Sequence, residues 1–452
     1  MTFSLPPQAE KALALLHDAG FEAWIVGGCV RDFLLGLVPK DYDITTSALP
    51  EETKKVFGGY PTIETGARHG TITVVLEGET LEITTYRVDG AYSDARHPDG
   101  VSFTRSLRED AARRDFTMNA MAYAPGLGIR DFFGGTEDAR QGIIRAVGDP
   151  ETRFREDALR ILRAIRFAAV LDFSLEEATQ AAARRCAPAL GKISAERLYA
   201  ELGKLLCGKA AGRVLRQYPE ILSVVIPELG PMVGFQQQNE HHCYDVYTHT
   251  AVAVDHVPPV LPLRLAMLLH DVGKPDTFFL GEDGQGHFYG HARRSVALAE
   301  TILTRLRAPR RLREQVTTLV RYHDAVLEED PRRLRRWLNK LGPETFFDLL
   351  EIQRGDTAAL APAYCTRNDR LNSLEKVAKE LLAEKPCLTM KGLSVNGNDL
   401  LALGYQGPNL GAALRALLDR VLEGEIPNEK QALLGWLAQN DTKNSPERGD
   451  NA

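Results

Sequence analysis

Residues 22–45 read EAWIVGGCVRDFLLGLVPKDYDIT, and this stretch constrains the fold more than any other. Glu22–Val26 predicts a short strand, Gly27-Gly28 a turn, Val30–Leu35 the start of a helix, and Asp41–Thr45 the next strand. A strand that passes through paired glycines into a helix presents backbone N–H groups without side-chain obstruction, an arrangement suited to phosphate. Arg31 stands where it can add charge-assisted hydrogen bonds to the same phosphates. Asp41 and Asp43, two residues apart on a strand, direct both carboxylates to one face. Carboxylates held together repel and call for a cation, and oxygen ligands beside a phosphate call for Mg²⁺. Such a pair serves two-metal phosphoryl chemistry, which activates a hydroxyl and stabilises departing pyrophosphate. Glu82, in LEITTYR, is a candidate third carboxylate from a neighbouring strand. Neither motif is specific alone; an aspartate pair about ten residues after GGxxRD is.

The rest of the chain sets the organisation. Its 452 residues correspond to about three domains. With 44% apolar and 26% charged residues it excludes a disordered chain, a disulfide miniprotein and a collagen-like fibre. No apolar run approaches the ~20 residues of a membrane span. The N-terminal MTFSLPPQAEKALALLHDAG carries charges within its apolar stretch and predicts an amphipathic helix, not a signal peptide. The six cysteines are far apart and form no CxxC, which suits a reducing cytoplasm. Thr71–Leu76 and Thr80–Tyr86, separated by Glu77-Gly78-Glu79, predict a hairpin. After about residue 150 the pattern is almost wholly helical, with boundaries at Val147–Pro150, 226–236 and Glu384–Gly392. The last residues, DTKNSPERGDNA, predict disorder. Net charge is −6, yet arginines crowd 105–166 and again 305–340. A basic strip on an acidic chain fits one phosphate-bearing ligand bound at one place. The second cluster fits either RNA phosphates or solvated helix faces.

A second constellation is built from histidine and aspartate. His249, the adjacent pair His270-Asp271, His291, His323 and Asp356 recur on predicted helices. A His-Asp pair closing an apolar helix is uncommon, because both polar groups need partners. Imidazole with carboxylate suits Zn, Mn, Ni or Fe better than Mg²⁺. His241-His242 and His256 read as surface or packing residues.

GGCVRDFLLG, KDYDITT, YSDARHPDGVSF, RRDFTMNAMAY and EDALRILRAIRF follow one another in the order of the bacterial-type tRNA nucleotidyltransferase and poly(A) polymerase family, and the chain most resembles the CCA-adding enzymes. The resemblance covers about 20–225 strongly and continues more loosely into LSVNGNDLLALGYQGPNLGAALRALLDRVL. It implies that Asp41 and Asp43 bind metal, that Gly28 and Arg31 contact the triphosphate, and that Arg114 contacts the nucleotide. It gives Asp115 and Asn119 to the ribose, Asp157 and Arg160 to the incoming base, and Arg163 and Arg166 to further nucleotide contacts. On one helix Asp157, Arg160, Arg163 and Arg166 would form a single stripe. The base chemistry agrees. Cytosine and adenine each place an exocyclic amine beside an unprotonated ring nitrogen, so a carboxylate can accept while a guanidinium donates. Uracil and guanine present a carbonyl instead, and an unpaired buried polar group costs ~1–3 kcal/mol. ISAERLYAELGKLL, 193–206, resembles the family's neck helix.

The order H…HD…H…H…D resembles the HD-domain phosphohydrolases. That resemblance makes His249, His270, Asp271 and Asp356 the core ligands, gives His291 and His323 to a second metal, and places Lys274 near a phosphate.

The expected fold is α+β. A small mixed-sheet nucleotidyltransferase head (1–145) precedes an all-helical neck (146–225), an HD domain (226–380), a tail that binds the tRNA body (381–440) and a disordered end (441–452). The expected activity is template-independent addition of C and A to the 3′ end of tRNA from CTP and ATP, with HD phosphohydrolysis as a possible second activity. The partners are tRNA, CTP and ATP, without a membrane. The alternatives are an A-adding or CC-adding enzyme, a poly(A) polymerase, or an HD phosphohydrolase whose head binds RNA.

Overall fold

The computed structural model describes residues 3–39, 41–90, 100–364 and 367–440. The chain forms two compact units, Met1–Val233 with Thr301–Pro309, and Gly234–Glu300 with Arg310–Ala452.

The first unit opens with a mixed sheet. Its strands are β1 (Ala23–Val26), β2 (Asp43–Thr46), β3 (Thr62–Ile63), β4 (Thr71–Leu76), β5 (Glu79–Thr85), β8 (Ala122–Ala124) and β9 (Gly128–Arg130), with β6 (Arg87–Asp89) and β7 (Val101–Phe103) forming a separate hairpin. The sheet order is β3-β4-β5-β2-β1-β8-β9. β2 runs antiparallel to β1 and parallel to β5. Side chains alternate across β1, so Ala23 and Ile25 enter a core with Ile44, Ile72, Val74, Ile83 and the helix Pro7–Asp18. Trp24 and Val26 face the other way, onto Tyr86, Leu107 and Ala122. The β4–β5 hairpin closes through Glu77 (φ 52°) and Gly78 (φ 89°), a two-residue turn whose positive φ values match the twist of the strands.

β2 starts later than expected. Asp43 is its first residue and Asp41 precedes it. The register pairs Val26 with Asp43, so a longer β2 would need Gly27 as its next partner. Gly27 lies instead at φ 82°, ψ −138°, where the chain leaves the sheet and enters the helix Gly28–Leu34. The stretch 91–99, which holds most of the YSDARHPDGVSF motif, and the polar end at 441–452 lie outside the described residues.

Beyond the head the first unit is helical: Pro150–Glu156, Leu159–Leu171, Glu177–Cys186, Ala195–Leu206, Ala211–Gln217 and Pro219–Val225. Asp157 is not on the helix with Arg160, Arg163 and Arg166. It sits between two helices in an extended conformation (φ −141°, ψ 103°), which corrects the expected four-residue stripe.

The second unit is also helical, apart from a small hairpin, Phe279–Leu280 with Gly286–His287. Its C-terminal part has a core of its own, in which Leu393, Val395, Leu400, Tyr405, Leu417 and Leu433 meet. Among the described residues no helix is long and apolar enough to cross a membrane.

Candidate active site and metal centre

In the head, strand pairing sets the carboxylates. Ile44 pairs with Ile83 in parallel register, so Asp43 and Glu82, one step earlier, stand side by side on neighbouring strands and share a face. Desolvation raises the Asp43 carboxyl above the usual carboxylate range. Arg114 pulls it down, and the like charges of Glu82 and Asp41 push it up again. Asp43 therefore lies within electrostatic reach of both other expected carboxylates, with Arg114 as its main compensating charge. Their donor atoms are all oxygens, a set that fits a hard divalent cation.

The glycine turn faces the same place. A Cβ on Gly27 would lie 3.2 Å from Nη1 of Arg114, and one on Gly28 would lie 3.3 Å from Nη2 of Arg31. Both guanidinium groups thus close over bare backbone. Arg31 is buried. Its Nε donates to Asp32 Oδ1 at 2.9 Å and its Nη1 to Asn119 Oδ1 at 2.7 Å.

From Asn119 a hydrogen-bonded chain runs into the helices. Asn119 Nδ2 donates to Asp115 Oδ1 at 3.1 Å, and Arg163 Nε donates to Asp115 Oδ2 at 2.9 Å. Burial opposes the charge on Asp115, but Arg163, with help from Asn119 and Arg160, takes its carboxyl down to about 2. Arg166 Nε donates to Glu201 Oε2 at 2.8 Å, and its guanidinium lies 3.6 Å over the Phe167 ring. Arg163 Nη1 is 3.9 Å from Glu201 Oε1. Arg31, Asp115, Asn119, Arg163 and Arg166 are therefore brought into one network.

Asp157 and Arg160 stand beside it, each with its own partners. Asp157 Oδ1 accepts from the Leu159 N–H at 3.0 Å, starting the next helix, and Oδ2 accepts from Arg197 Nη2 at 2.7 Å. Arg160 donates to Glu156 Oε2 at 2.5 Å and to the carbonyls of Arg153 and Arg113 at 3.1 and 3.2 Å. Glu156, Arg197 and Glu201 were missed in the sequence. Glu201 carried one signal, being a charge on the apolar face of an amphipathic helix, where it is buried.

In the second unit, the expected histidines and aspartates converge. His249 Nε2 is 2.9 Å from Asp356 Oδ1 and 3.7 Å from Asp271 Oδ2. His270 Nε2 is 3.1 Å from Asp271 Oδ2 and 3.5 Å from Asp356 Oδ1. On the other side of the same carboxylate, His291 and His323 Nε2 lie 3.5 and 3.7 Å from Asp271 Oδ1. Asp271 thus joins two groups of possible metal ligands, His249–His270–Asp271 and Asp271–His291–His323. His270 Nε2 and both Asp271 carboxylate oxygens are buried with no hydrogen-bond partner among the described residues. Buried polar atoms without hydrogen-bond partners are rare, and here, apart from the ion pair of Asp271 with Lys274, they lie beside one another, an arrangement that a metal ion would satisfy.

Burial disfavours charge on His270, but Asp271 and Asp356 overcome it and raise the imidazole to about 10. Both carboxyls are in turn held well below their usual range. Burial, reinforced by His270, pushes His323 down to about 4. Lys274 Nζ lies 2.7 Å from Asp271 Oδ2 and donates to Gln237 Oε1 at 2.7 Å. Asp271, Lys274, His291, His323 and Asp356 line a cavity of ≈ 660 Å³. His242, expected to be surface or packing, lines this cavity, edge-on to His249 with ring centroids 5.0 Å apart. Its ring contact with His249 is tertiary, and sequence spacing does not signal it.

Similarity to known proteins follows the same division. Residues 23–145 match the family model of the Poly A polymerase head domain, 239–343 that of the HD domain, and 292–437 that of tRNA nucleotidyltransferase domain 2. The CCA-adding enzyme of Geobacillus stearothermophilus is 34% identical over 445 residues, 96% of this chain and 98% of that protein. That of Leuconostoc mesenteroides is 51% identical over 207 residues, which span 46% of this chain and 51% of that protein. The crystal structure of the Bacillus stearothermophilus CCA-adding enzyme in complex with CTP superposes with a TM-score of 0.72 at 30% identity, covering 97% of this chain and 98% of that one. The Thermotoga maritima CCA-adding enzyme complexed with tRNA shares the fold, with a TM-score of 0.59 at 21% identity over 96% of each chain. These matches define a nucleotidyltransferase with a poly(A)-polymerase-type head and an HD domain. Within that class, the chain belongs to the CCA-adding enzyme family.

Proposed function

We propose that the chain completes and repairs the CCA end of tRNA, joining C and A to the 3′ end from CTP and ATP with release of pyrophosphate. The observation that carries this reading is the convergence of Asp41, Asp43 and Glu82 beside the Gly27-Gly28 turn and Arg114. The tRNA 3′-oxygen bonds to the α-phosphorus of the nucleotide as the bond to the bridging oxygen breaks, and pyrophosphate leaves with that oxygen. Mg²⁺ held by Asp41 and Asp43, with Glu82 beside them, would supply Lewis-acid activation of the hydroxyl and neutralise the phosphate charge. The backbone at Gly28 and the guanidinium groups of Arg31 and Arg114 receive the triphosphate. Asn119 and Asp115 orient the ribose, and Arg163 and Arg166, fixed by Asp115 and Glu201, hold the nucleotide against the neck.

Base choice rests on Asp157 and Arg160. Asp157 accepts from the exocyclic amine of cytosine or adenine, and Arg160 donates to the adjacent ring nitrogen. A carbonyl in place of the amine leaves the carboxylate opposed, at a cost of about 1–3 kcal/mol. The neck, 146–225, carries this reader, and the tail, 381–440, meets the tRNA body. The protein works in the cytoplasm.

The HD cluster is a second site, for metal-dependent hydrolysis of a phosphate ester. Its mixed imidazole and carboxylate donors fit Zn, Mn, Ni or Fe. His249, His270, Asp271 and Asp356 would hold one ion, His291 and His323 with Asp271 a second, and Lys274 stands ready to meet phosphate. The orphaned polar atoms of His270 and Asp271 support this reading.

Asp41→Ala and Asp43→Ala each test the head. Both are expected to abolish nucleotide incorporation into tRNA while the thermal unfolding profile stays that of the parent. Transfer retained by the folded double variant would refute the assignment.

A further inference from the structure

The HD cavity has an aromatic edge that the metal-site reading leaves without a role. In the hairpin Phe279–Leu280/Gly286–His287, Phe279 stands opposite His287, with ring centroids 5.3 Å apart and planes 28° apart. Tyr289 stacks on His287 at 5.5 Å and 12°, and its centroid is 5.3 Å from that of Phe279. The intervening Phe288 packs elsewhere, against Phe278 and near Lys274 Nζ. Asp283, 3.2 Å from His287 Nε2, fixes the plane of the imidazole.

Aromatic rings gathered for stability alone are normally covered. Here Tyr289 is 75% exposed and Phe279 44% exposed. His287 and Tyr289 line the same cavity as Asp271, His323 and Asp356, and Tyr289 lies two residues before His291. Val326, 69% exposed, lines it too. Solvent-facing aromatic rings are a surface that nucleobases occupy, and stacking accepts any base because every base has a π-face. The cavity volume of ≈ 660 Å³ lies within the range that small-molecule ligands fill.

We infer that His287 and Tyr289, backed by Phe279, form the base-binding subsite of the HD cavity, which takes a nucleoside monophosphate unit. The phosphate lies at the Asp271 cluster beside Lys274, and the base lies on Tyr289. The inference rests on the metal-site reading of that cluster.

The test compares binding of two non-hydrolysable probes to the full chain in Mn²⁺, by calorimetry. One is adenosine 5′-phosphonate, and the other is the same ribose phosphonate without adenine. The component lost in His270→Ala belongs to the HD cavity. Stacking predicts that Tyr289→Ala weakens this component about tenfold for the adenosine probe, that Tyr289→Phe keeps it, and that neither changes binding of the adenine-free probe. A trinucleotide ending in the same phosphonate separates the two sources of this ligand: tighter binding than the mononucleotide assigns an RNA end, and equal or weaker binding a free nucleotide. If both probes bind the cavity but Tyr289→Ala leaves the adenosine component unchanged, the stack is not the base subsite and the metal-site reading stands. If His270→Ala removes no component for either probe, the metal-site reading fails and this inference fails with it.

Discussion

At the scale of single residues, Asp115 shows how a buried charge ties the head to the neck. Its carboxyl, about 2 in the folded chain against an ordinary value of 3.8, is lowered by Arg163 despite burial. A carboxyl depressed on folding stabilises the native state above its unfolded pKa, and that contribution disappears as pH falls through the folded pKa. The window here runs from about pH 4 down to about pH 2, and the contribution at neutral pH is about 2 kcal/mol. Denaturant unfolding of the first unit is therefore expected to show Asp115→Asn destabilised by roughly that amount at pH 7 and the difference closing towards pH 2. A difference that stayed constant with pH would mean that the carboxylate charge contributes nothing. Arg163 reaches Asp115 across 48 positions of sequence, and Arg197 reaches Asp157 across 40. No local pattern announces such pairs. Asp115 and Asp157 stand in recognisable motifs, whereas nothing local marks Arg197; Glu156 and Glu201, which also hold motif residues in place, carry only weak local signals, a four-residue spacing to Arg160 and a charge on an apolar helix face.

At the scale of elements, the strand–glycine–helix passage does the positioning. Gly27 combines a positive φ with a guanidinium 3.2 Å from where a Cβ would stand. Gly20 has a similar φ of 85° but open space around it, and so separates the two effects. Gly20→Ala and Gly27→Ala are each expected to cost about 1–3 kcal/mol of stability from backbone strain. Only Gly27→Ala is expected also to lower kcat/KM for CTP, by at least about tenfold, because it displaces Arg114. Equal kcat/KM in the two variants would remove Arg114 from the triphosphate. β2 loses its first expected residues because its antiparallel partner turns away at Gly27, and register is a property of two strands. Asp157 leaves the helical stripe because its own side chain starts the following helix, an alternative that three-residue spacing does not reveal.

At the scale of the whole molecule, the α+β class and the helical remainder were readable because a mixed strand pattern gives way to helical periodicity near residue 150. The attachment of Thr301–Pro309 to the first unit was not readable, since it depends on contacts between segments distant in sequence. The histidines and aspartates expected in the HD segment do converge in space, and on the proposed metal-site reading their geometry predicts linkage between metal and stability in the second unit. Mn²⁺ at 100 times its dissociation constant is expected to stabilise that unit by about 2.7 kcal/mol. EDTA should reverse the rise in melting temperature, and His270→Ala should abolish it. An unchanged melting temperature in the parent protein would contradict a metal centre there.

The central claim is that one head, with one base reader, builds the whole CCA end. Three tRNA transcripts, ending before the CCA, after C and after CC, incubated with CTP, ATP and Mg²⁺ and resolved on a sequencing gel, test it most directly. All three are expected to be completed to CCA and to stop there. Extension of only the CC-ending transcript, by a single A, would contradict the claim and leave an A-adding enzyme in its place.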